Sequence, residues 1–337
     1  EALSKFQKRN KSDIQDQLVH EILKIENGTF ENPDGFIEKI SSYPDFEYYL
    51  YALWNQSFFF DTYLSTGFNK KNSKNISAFD LDLVKTPTIK ESLRYLKSAV
   101  AQHYDDWETY YNLNSVIPAI KTWQFCGSFE NLNGGGLATE YGPEKMAISQ
   151  TDFNANSNGF VNWYTPKERK KEAYQYYSNH SEYGSGVNYA QTFISNPQAR
   201  KAVIRFGSSA LTKVWLNDVL IYENTNDGVT DLDAYNVAVN LPQGSNRLLI
   251  KNADKSGIAY FIARVTDLEG NALNDLKFDS TYTTYNESST FSLSPKSIDH
   301  PVEAFFANKL KRDPNNFLNR FCLINTYLRN SKYTEAK

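Results

Sequence analysis

The spacing of apolar residues divides the chain into helical and strand-forming regions. From about residue 12 to residue 113, apolar positions recur every three or four residues, as on the buried face of an amphipathic helix. The first helix is expected to begin after the N-cap Ser12, and its apolar face carries Ile14, Leu18, Ile22, Leu23 and Ile25. Further helices are predicted over 34–41, after Pro44, and as one helix or a pair within 92–112.

After Pro118 the period changes from helical to alternating. Short apolar runs are bounded by Gly, Asn, Asp and Pro, and Asn217-Asp218 predicts a tight hairpin turn. From residue 301 the helical spacing returns, with a turn at 313–316. This pattern is typical of an antiparallel sandwich, whose strands are predicted at about 122–129, 159–164, 188–194, 201–206, 211–220, 236–241, 246–251 and 259–265.

A length of 337 residues exceeds that of a typical single domain, so two or three folded units are expected. The predicted fold class is α+β multidomain. We expect a helical-repeat domain over 1–117, an antiparallel β-sandwich of the jelly-roll type over 118–298, and a tetratricopeptide-like helical hairpin over 299–337, the start of a second helical repeat.

One stretch carries a resemblance to a known family. Trp123, Gly127, Phe129 and Asn131, followed by Tyr141-Gly-Pro-Glu144, are similar to the first strands of a galactose-binding-like jelly roll, a fold familiar from carbohydrate-binding modules. The runs at 189–192, 214–218, 246–251 and 261–270 resemble its later strands, so the likeness spans about 120–275.

That jelly roll occurs in the N-terminal regions of secreted bacterial transglutaminase-like proteins, which also carry tetratricopeptide repeats. The resemblance therefore implies a periplasmic or cell-surface location in the envelope of a Gram-negative bacterium. It marks residues that a sandwich needs for folding and identifies no ligand contact.

Charge and cysteine content exclude several classes of protein. The formal net charge is −3 and basic residues are dispersed, apart from the run at 167–171, so no nucleic-acid partner is expected. Cys126 and Cys322 lie in different predicted units, which argues against a disulfide framework, and both are expected to pack as small apolar residues. No apolar run reaches the length of a membrane span.

The sequence contains no recognisable catalytic set. A papain-like or transglutaminase-like triad needs a cysteine activated by histidine, yet Cys126 stands between Phe and Gly in a predicted strand, without a helix N-terminus to lower its pKa. We therefore expect the chain to be non-catalytic, with no cofactor.

Two groups of residues are candidate binding sites. Asp227, Asp231 and Asp233 lie in a polar loop and carry the oxygen ligands that Ca²⁺ prefers; a solvated turn is the simpler interpretation, because the spacing does not match an EF-hand. The second group is aromatic and suits stacking on sugar rings, although packing or a protein contact explains it more simply; it consists of Trp163, Tyr164, Tyr176 and Tyr177.

The function expected from these observations is a non-catalytic interaction module that binds an envelope protein or a glycan. Two alternatives remain open: a binding region of a larger transglutaminase-like enzyme with its catalytic domain beyond residue 337, and a structural subunit of an envelope complex. The closing helices add one expectation. They leave Phe317, Phe321 and Leu328 without a covering surface, which predicts further repeats or another subunit there.

Overall fold

The computed structural model describes residues 13–27, 40–53, 76–167, 172–177, 185–255 and 259–337. The chain is α+β with antiparallel sheets, as predicted, and it divides into two compact units. The helical unit comprises Glu1–Asn114, Pro301–Leu328 and Tyr333–Lys337, and the sheet unit comprises Ser115–His300 and Arg329–Lys332. The expected N-cap Ser12 and most of the helix predicted over 34–41 lie outside the described residues.

Among the residues that the structure describes, six longer helices belong wholly or mainly to the helical unit. The pair predicted within 92–112 is present as α3 and α4, and it begins five residues earlier than expected. In chain order the helices are α1 (Ile14–Glu26), α2 (Phe46–Leu53), α3 (Pro87–His103) and α4 (Trp107–Val116), and two short helices of the sheet unit, α5 (Gly142–Lys145) and α6 (Thr290–Leu293), precede α7 (Pro301–Arg312) and α8 (Phe317–Arg329).

Apolar and aromatic side chains hold α2 against α7 and α8. The rings of Tyr48 and Phe305 stack with centroids 4.0 Å apart, and Tyr49 meets Phe306 edge-on at 5.1 Å. The Tyr49 hydroxyl donates to Asn319 Oδ1 at 2.9 Å, so its buried polar tip is satisfied. The closing helices, expected from sequence to form a hairpin domain of their own, thus share one core with the first part of the chain.

The start of α3 is fixed by a carboxylate from α2. Glu47 is buried and accepts hydrogen bonds from the backbone N–H of Lys85 at 2.7 Å and of Thr86 at 3.1 Å, and from the Thr86 hydroxyl at 2.8 Å. Pro87 follows at the first helical position, where its missing N–H costs nothing. A repeat relating these helix pairs remains a prediction.

In its described ranges, the sheet unit contains two larger antiparallel sheets and one short hairpin. The first sheet has the order β1-β5-β10-β7-β8, with β12 also pairing with β5, and the second has the order β13-β9-β6-β11-β4. The strands are β1 (Gln124–Phe129), β2 (Phe153–Asn154), β3 (Phe160–Val161), β4 (Gln175–Tyr176), β5 (Gly186–Asn196), β6 (Arg200–Ser208), β7 (Leu211–Leu216), β8 (Val219–Asn224), β9 (Tyr235–Leu241), β10 (Gly244–Asp254), β11 (Tyr260–Thr266), β12 (Lys277–Asp279) and β13 (Lys296–Ile298).

Both larger sheets contribute to one hydrophobic cluster, in a sandwich-like arrangement. Alternate residues of β10 and β6, such as Leu248 and Ile204, point into it, because successive side chains of a strand face opposite sides. Between β7 and β8, Asn217 and Asp218 both have positive φ (49° and 64°), as a two-residue hairpin turn requires. The predicted turn is therefore present.

The outer face of the first sheet is covered by the segment 130–164. A separate apolar cluster lies beneath it and includes Phe129, Tyr141, Tyr189 and Trp215. At Gly142 an added Cβ would lie 2.2 Å from the ring of Phe153, so the glycine of the Tyr-Gly-Pro-Glu motif permits close packing. The Tyr-Gly-Pro-Glu motif therefore helps to hold the segment 130–164, which we call the cover, against the sheet. Trp215 is buried on this outer face.

A buried lysine anchors the same cover. The Lys251 ammonium on β10 donates to Leu137 O at 3.0 Å, to Thr139 O at 2.6 Å and to Glu144 Oε1 at 2.7 Å, and the Tyr189 hydroxyl donates to the same Glu144 oxygen at 2.6 Å.

Among the residues described, no helix has the length and apolar character needed to cross a membrane.

Candidate functional site

The structure separates the four aromatic residues singled out from sequence. Tyr177 is buried in the cluster between the sheets, with its hydroxyl bonded to Asn252 Oδ1 at 3.0 Å, and Tyr164 packs against the same cluster. Tyr176 lies in β4 with its ring 5.2 Å from that of Tyr260. Trp163 packs instead on the outer face of the first sheet. These four side chains do not form one surface.

Trp163 contributes to a different group of residues, which we call the Trp163 cluster: Trp163, Asp218, Arg247 and Tyr285. The Arg247 guanidinium carbon lies 6.0 Å from the centroid of the Trp163 ring and 6.0 Å from that of the Tyr285 ring. The indole N–H donates to Met146 O at 3.2 Å. Two partly exposed aromatic rings therefore flank one arginine.

The arginine is held by all three of its nitrogens. Arg247 is buried, and it donates from Nε to Gln191 Oε1 at 2.9 Å, from Nη1 to Asp218 Oδ1 at 2.8 Å and from Nη2 to Pro143 O at 2.7 Å. The planar guanidinium suits such a fixed set of acceptors, and the Asp218 carboxylate balances its charge. Each nitrogen of the Arg247 guanidinium therefore has an acceptor within the protein.

Asp218 connects the arginine to the second ring. Its Oδ2 accepts from the Tyr285 hydroxyl at 2.7 Å, while the carboxylate as a whole is exposed. Burial, and next the hydrogen bond to this carboxylate, raise the pKa of Tyr285 to about 12. Tyr285 therefore stays a neutral hydrogen-bond donor to Asp218 at physiological pH.

Three members of the cluster, Asp218, Arg247 and Tyr285, are not predicted as site residues by their sequence context. Asp218 was recognised only as a turn residue, and Arg247 only as part of a strand. Their contact depends on β10 pairing with β7, which places Leu248 opposite Leu216 beside the turn. Tyr285 reaches the site from a segment that follows β12, and no local spacing indicates this.

The acidic loop is organised by cations of the chain itself. Asp233 is buried and accepts from Arg264 Nε at 2.8 Å and from Nη2 at 2.5 Å. Asp231 accepts from Arg329, and Asp227 lies 3.8 Å from the Lys255 ammonium. Within the described part of the chain, no three His, Cys, Asp or Glu side chains group as a metal ion would need.

Both thiols and the His300 side chain are buried. Burial raises the pKa of both Cys126 and Cys322, which disfavours the reactive thiolate. Burial lowers the pKa of His300 well below its usual value, with further lowering by nearby cations such as Lys332. Each of these groups therefore stays neutral.

No protein-family model and no curated protein matches the chain. Among solved structures it is similar to a β-glucosidase from Kluyveromyces marxianus, at 11% identity, a TM-score of 0.24 and coverage of 30% of this chain and 14% of that chain. The structure of that enzyme in complex with glucose matches at 13% identity and a TM-score of 0.24, with 31% of this chain and 15% of that chain covered.

An anti-sigma factor domain-containing protein from Clostridium clariflavum matches at 12% identity and a TM-score of 0.26, with 52% of this chain and 48% of that chain covered. The chain thus spans less than half of each of these solved proteins. Likeness at this level carries no argument about function.

Proposed function

We propose that this chain is a non-catalytic binding module of the Gram-negative cell envelope, a jelly roll with helical flanks that binds a neutral glycan at the Trp163 cluster. The envelope location and the jelly-roll family rest on the sequence resemblance. The observation that carries the glycan proposal is the pair of partly exposed rings, Trp163 and Tyr285, whose centroids each lie 6.0 Å from the guanidinium carbon of the Arg247–Asp218 ion pair.

The chemistry of this cluster suits a sugar. Aromatic rings stack on the apolar C–H face of a pyranose, and the exposed Asp218 carboxylate has lone pairs beyond those that accept from Arg247 and Tyr285, available for sugar hydroxyls. Because the Arg247 donors already have acceptors, the cluster offers a carboxylate and no accessible cation. A neutral glycan fits this surface better than an acidic one.

Binding of neutral oligosaccharides by the full chain tests the proposal. We expect a glycan array and titration calorimetry to identify a neutral ligand, whose affinity falls about tenfold or more in Trp163→Ala, as for loss of a central aromatic contact. Asp218→Asn, which keeps the side-chain shape, should also weaken binding. Phe160→Ala is the matched control, because Phe160 is an exposed aromatic residue of the same covering segment.

The proposal fails if no neutral glycan binds the folded wild-type chain, or if Trp163→Ala binds as tightly as Phe160→Ala. A preference for acidic glycans that survives Asp218→Asn would contradict the role of the carboxylate. Thermal unfolding of each variant shows whether the fold is intact.

A protein partner is the second candidate ligand. Stable co-purification with an envelope protein, without glycan affinity, would favour a structural subunit of an envelope complex. An enzyme with its catalytic domain beyond residue 337 would instead show activity only in a longer gene product, for which the present chain supplies the binding region.

A further inference from the structure

The helices of the helical unit are linked by a series of contacts. α7 and α8 pack against α2, through Phe305 and Asn319, and Glu47 of α2 bonds to Thr86 at the start of α3. α3 in turn meets α4, where Asn114 Nδ2 donates to Ser98 Oγ at 2.9 Å. Just before α8, Asn316 Nδ2 donates to Gln15 Oε1 of α1 at 2.8 Å.

The outer side of α4 and the residues just before it form an aromatic and acidic surface. Tyr104, Trp107 and Tyr111 are 41%, 45% and 42% exposed, and the rings of Trp107 and Tyr111 lie 6.2 Å apart. The stretch 104–111 carries three carboxylates, among them the exposed Glu108, and no basic residue. We call Tyr104, Trp107, Glu108 and Tyr111 the α4 face.

The outer side of α8 is apolar. Phe317, Phe321, Ile324 and Leu328 recur at the spacing of one helix face. Phe321 is half-buried and also packs against the core that contains Leu318 and Cys322. Phe317 is 74% exposed, Leu328 is 46% exposed, and the Phe317 and Phe321 rings stack at 6.1 Å.

Basic residues accompany this stripe. Arg320 is exposed beside Phe321, and Lys309, Lys311 and Arg312 lie in the last turn of the preceding α7, where Lys309 pairs with Asp45 at 3.2 Å. We call Phe317, Arg320, Phe321 and Leu328 the α8 face. The α4 face and the α8 face thus present large apolar side chains with opposite flanking charge.

We propose that the α8 face of one copy of this chain docks on the α4 face of a second copy, head to tail. Large apolar side chains gathered on an exposed surface are typical of a contact with another protein chain. The α4 face and the α8 face both carry such side chains, and their flanking charges attract. A contact between two α4 faces or two α8 faces would oppose like charges, which favours the heterologous pairing.

Sedimentation equilibrium of the full chain tests this contact over about two decades of concentration. We expect the average mass to rise above the 38.6 kDa of the monomer with concentration at low salt. In about 1 M salt, where the screening length is about 3 Å, the association should weaken markedly.

Substitutions separate the two faces. Trp107→Ser and Phe317→Ser should each weaken association about tenfold or more, as for a buried aromatic anchor. Phe160→Ser, which removes an aromatic side chain that is 73% exposed in the sheet unit, is the matched control and should associate like the wild type. Circular dichroism and thermal unfolding confirm that each variant is folded.

A charge exchange tests the pairing itself. Glu108→Lys alone and Arg320→Glu alone should each associate more weakly than the wild type. An equimolar mixture should regain association, because the intact α8 face of the Glu108→Lys chain meets the intact α4 face of the Arg320→Glu chain.

Three results would overturn the proposal. The first is a wild-type chain that stays monomeric at low salt and high concentration. The second is unchanged association in Trp107→Ser or Phe317→Ser. The third is strong self-association of either charge variant alone, since this would mean that like faces pair or that another surface is responsible.

Discussion

Removing the buried ammonium of Lys251 is expected to loosen the cover over the first sheet. Lys251→Met keeps most of the apolar stem of the side chain and deletes its three hydrogen bonds. The Glu144 carboxylate would then be left mostly buried without its cation, a loss that typically costs about 3–5 kcal/mol. A domain stable by about 5–15 kcal/mol would lose a large share of that free energy.

Urea unfolding followed by tryptophan fluorescence measures this loss as a lower midpoint with an unchanged slope. Lys255→Met is the matched control. Its ammonium lies 3.8 Å from Asp227 in an exposed pair, which contributes about 0–1 kcal/mol.

The double variant Lys251→Met with Glu144→Gln should recover part of the stability. The glutamine carries no charge and still offers an oxygen to the Tyr189 hydroxyl. Equal midpoints for Lys251→Met and Lys255→Met would refute the reasoning, because the buried network would then contribute no more than a surface ion pair.

Other expectations follow from burial and charge. Trp215→Ala should cost about 3–5 kcal/mol of unfolding free energy, because the side chain is buried under the cover, and a fluorescence quencher should reach Trp215 only after unfolding. A thiol reagent should label neither Cys126 nor Cys322 in the folded chain and both in denaturant; rapid labelling of the native protein would show that the burial is wrong. Since the pKa of Tyr285 is raised to about 12, its stabilising effect should be present below about pH 10 and lost as pH rises towards 12; a difference titration against Tyr285→Phe checks this, and ionisation of Tyr285 near pH 10 would contradict it. Chelation or added calcium should not change the melting temperature, because the carboxylates of the loop 223–233 bind cationic side chains; a reproducible rise with calcium would reverse that conclusion.

Local pattern was enough to predict much of the secondary structure. Alternation located β1, β5, β6, β9, β10 and β11, and the run predicted over 211–220 covers β7, the turn at Asn217-Asp218 and the start of β8. The run predicted over 159–164 contains only the two-residue strand β3. The short strands β2, β4, β12 and β13 were not predicted as separate elements, because two or three residues are too few to show a period.

The candidate site illustrates what sequence spacing does not contain. Trp163 was singled out from sequence, but so were three tyrosines that belong elsewhere in the fold. Arg247 joins Asp218 because β10 pairs with β7, and Tyr285 joins them across 38 residues of chain.

The sequence by itself determined the periods, the turn and the burial of both cysteines, because these depend on residues a few positions apart. Only the tertiary structure decided which charges meet. Asp233 faces Arg264 and Asp231 faces Arg329, whereas the sequence predicted a solvated turn there, with calcium binding as the less simple alternative. A buried carboxylate needs a compensating cation. Strand pairing and the packing of distant segments decide which cation lies within hydrogen-bond distance. The spacing of residues along the chain does not contain this information.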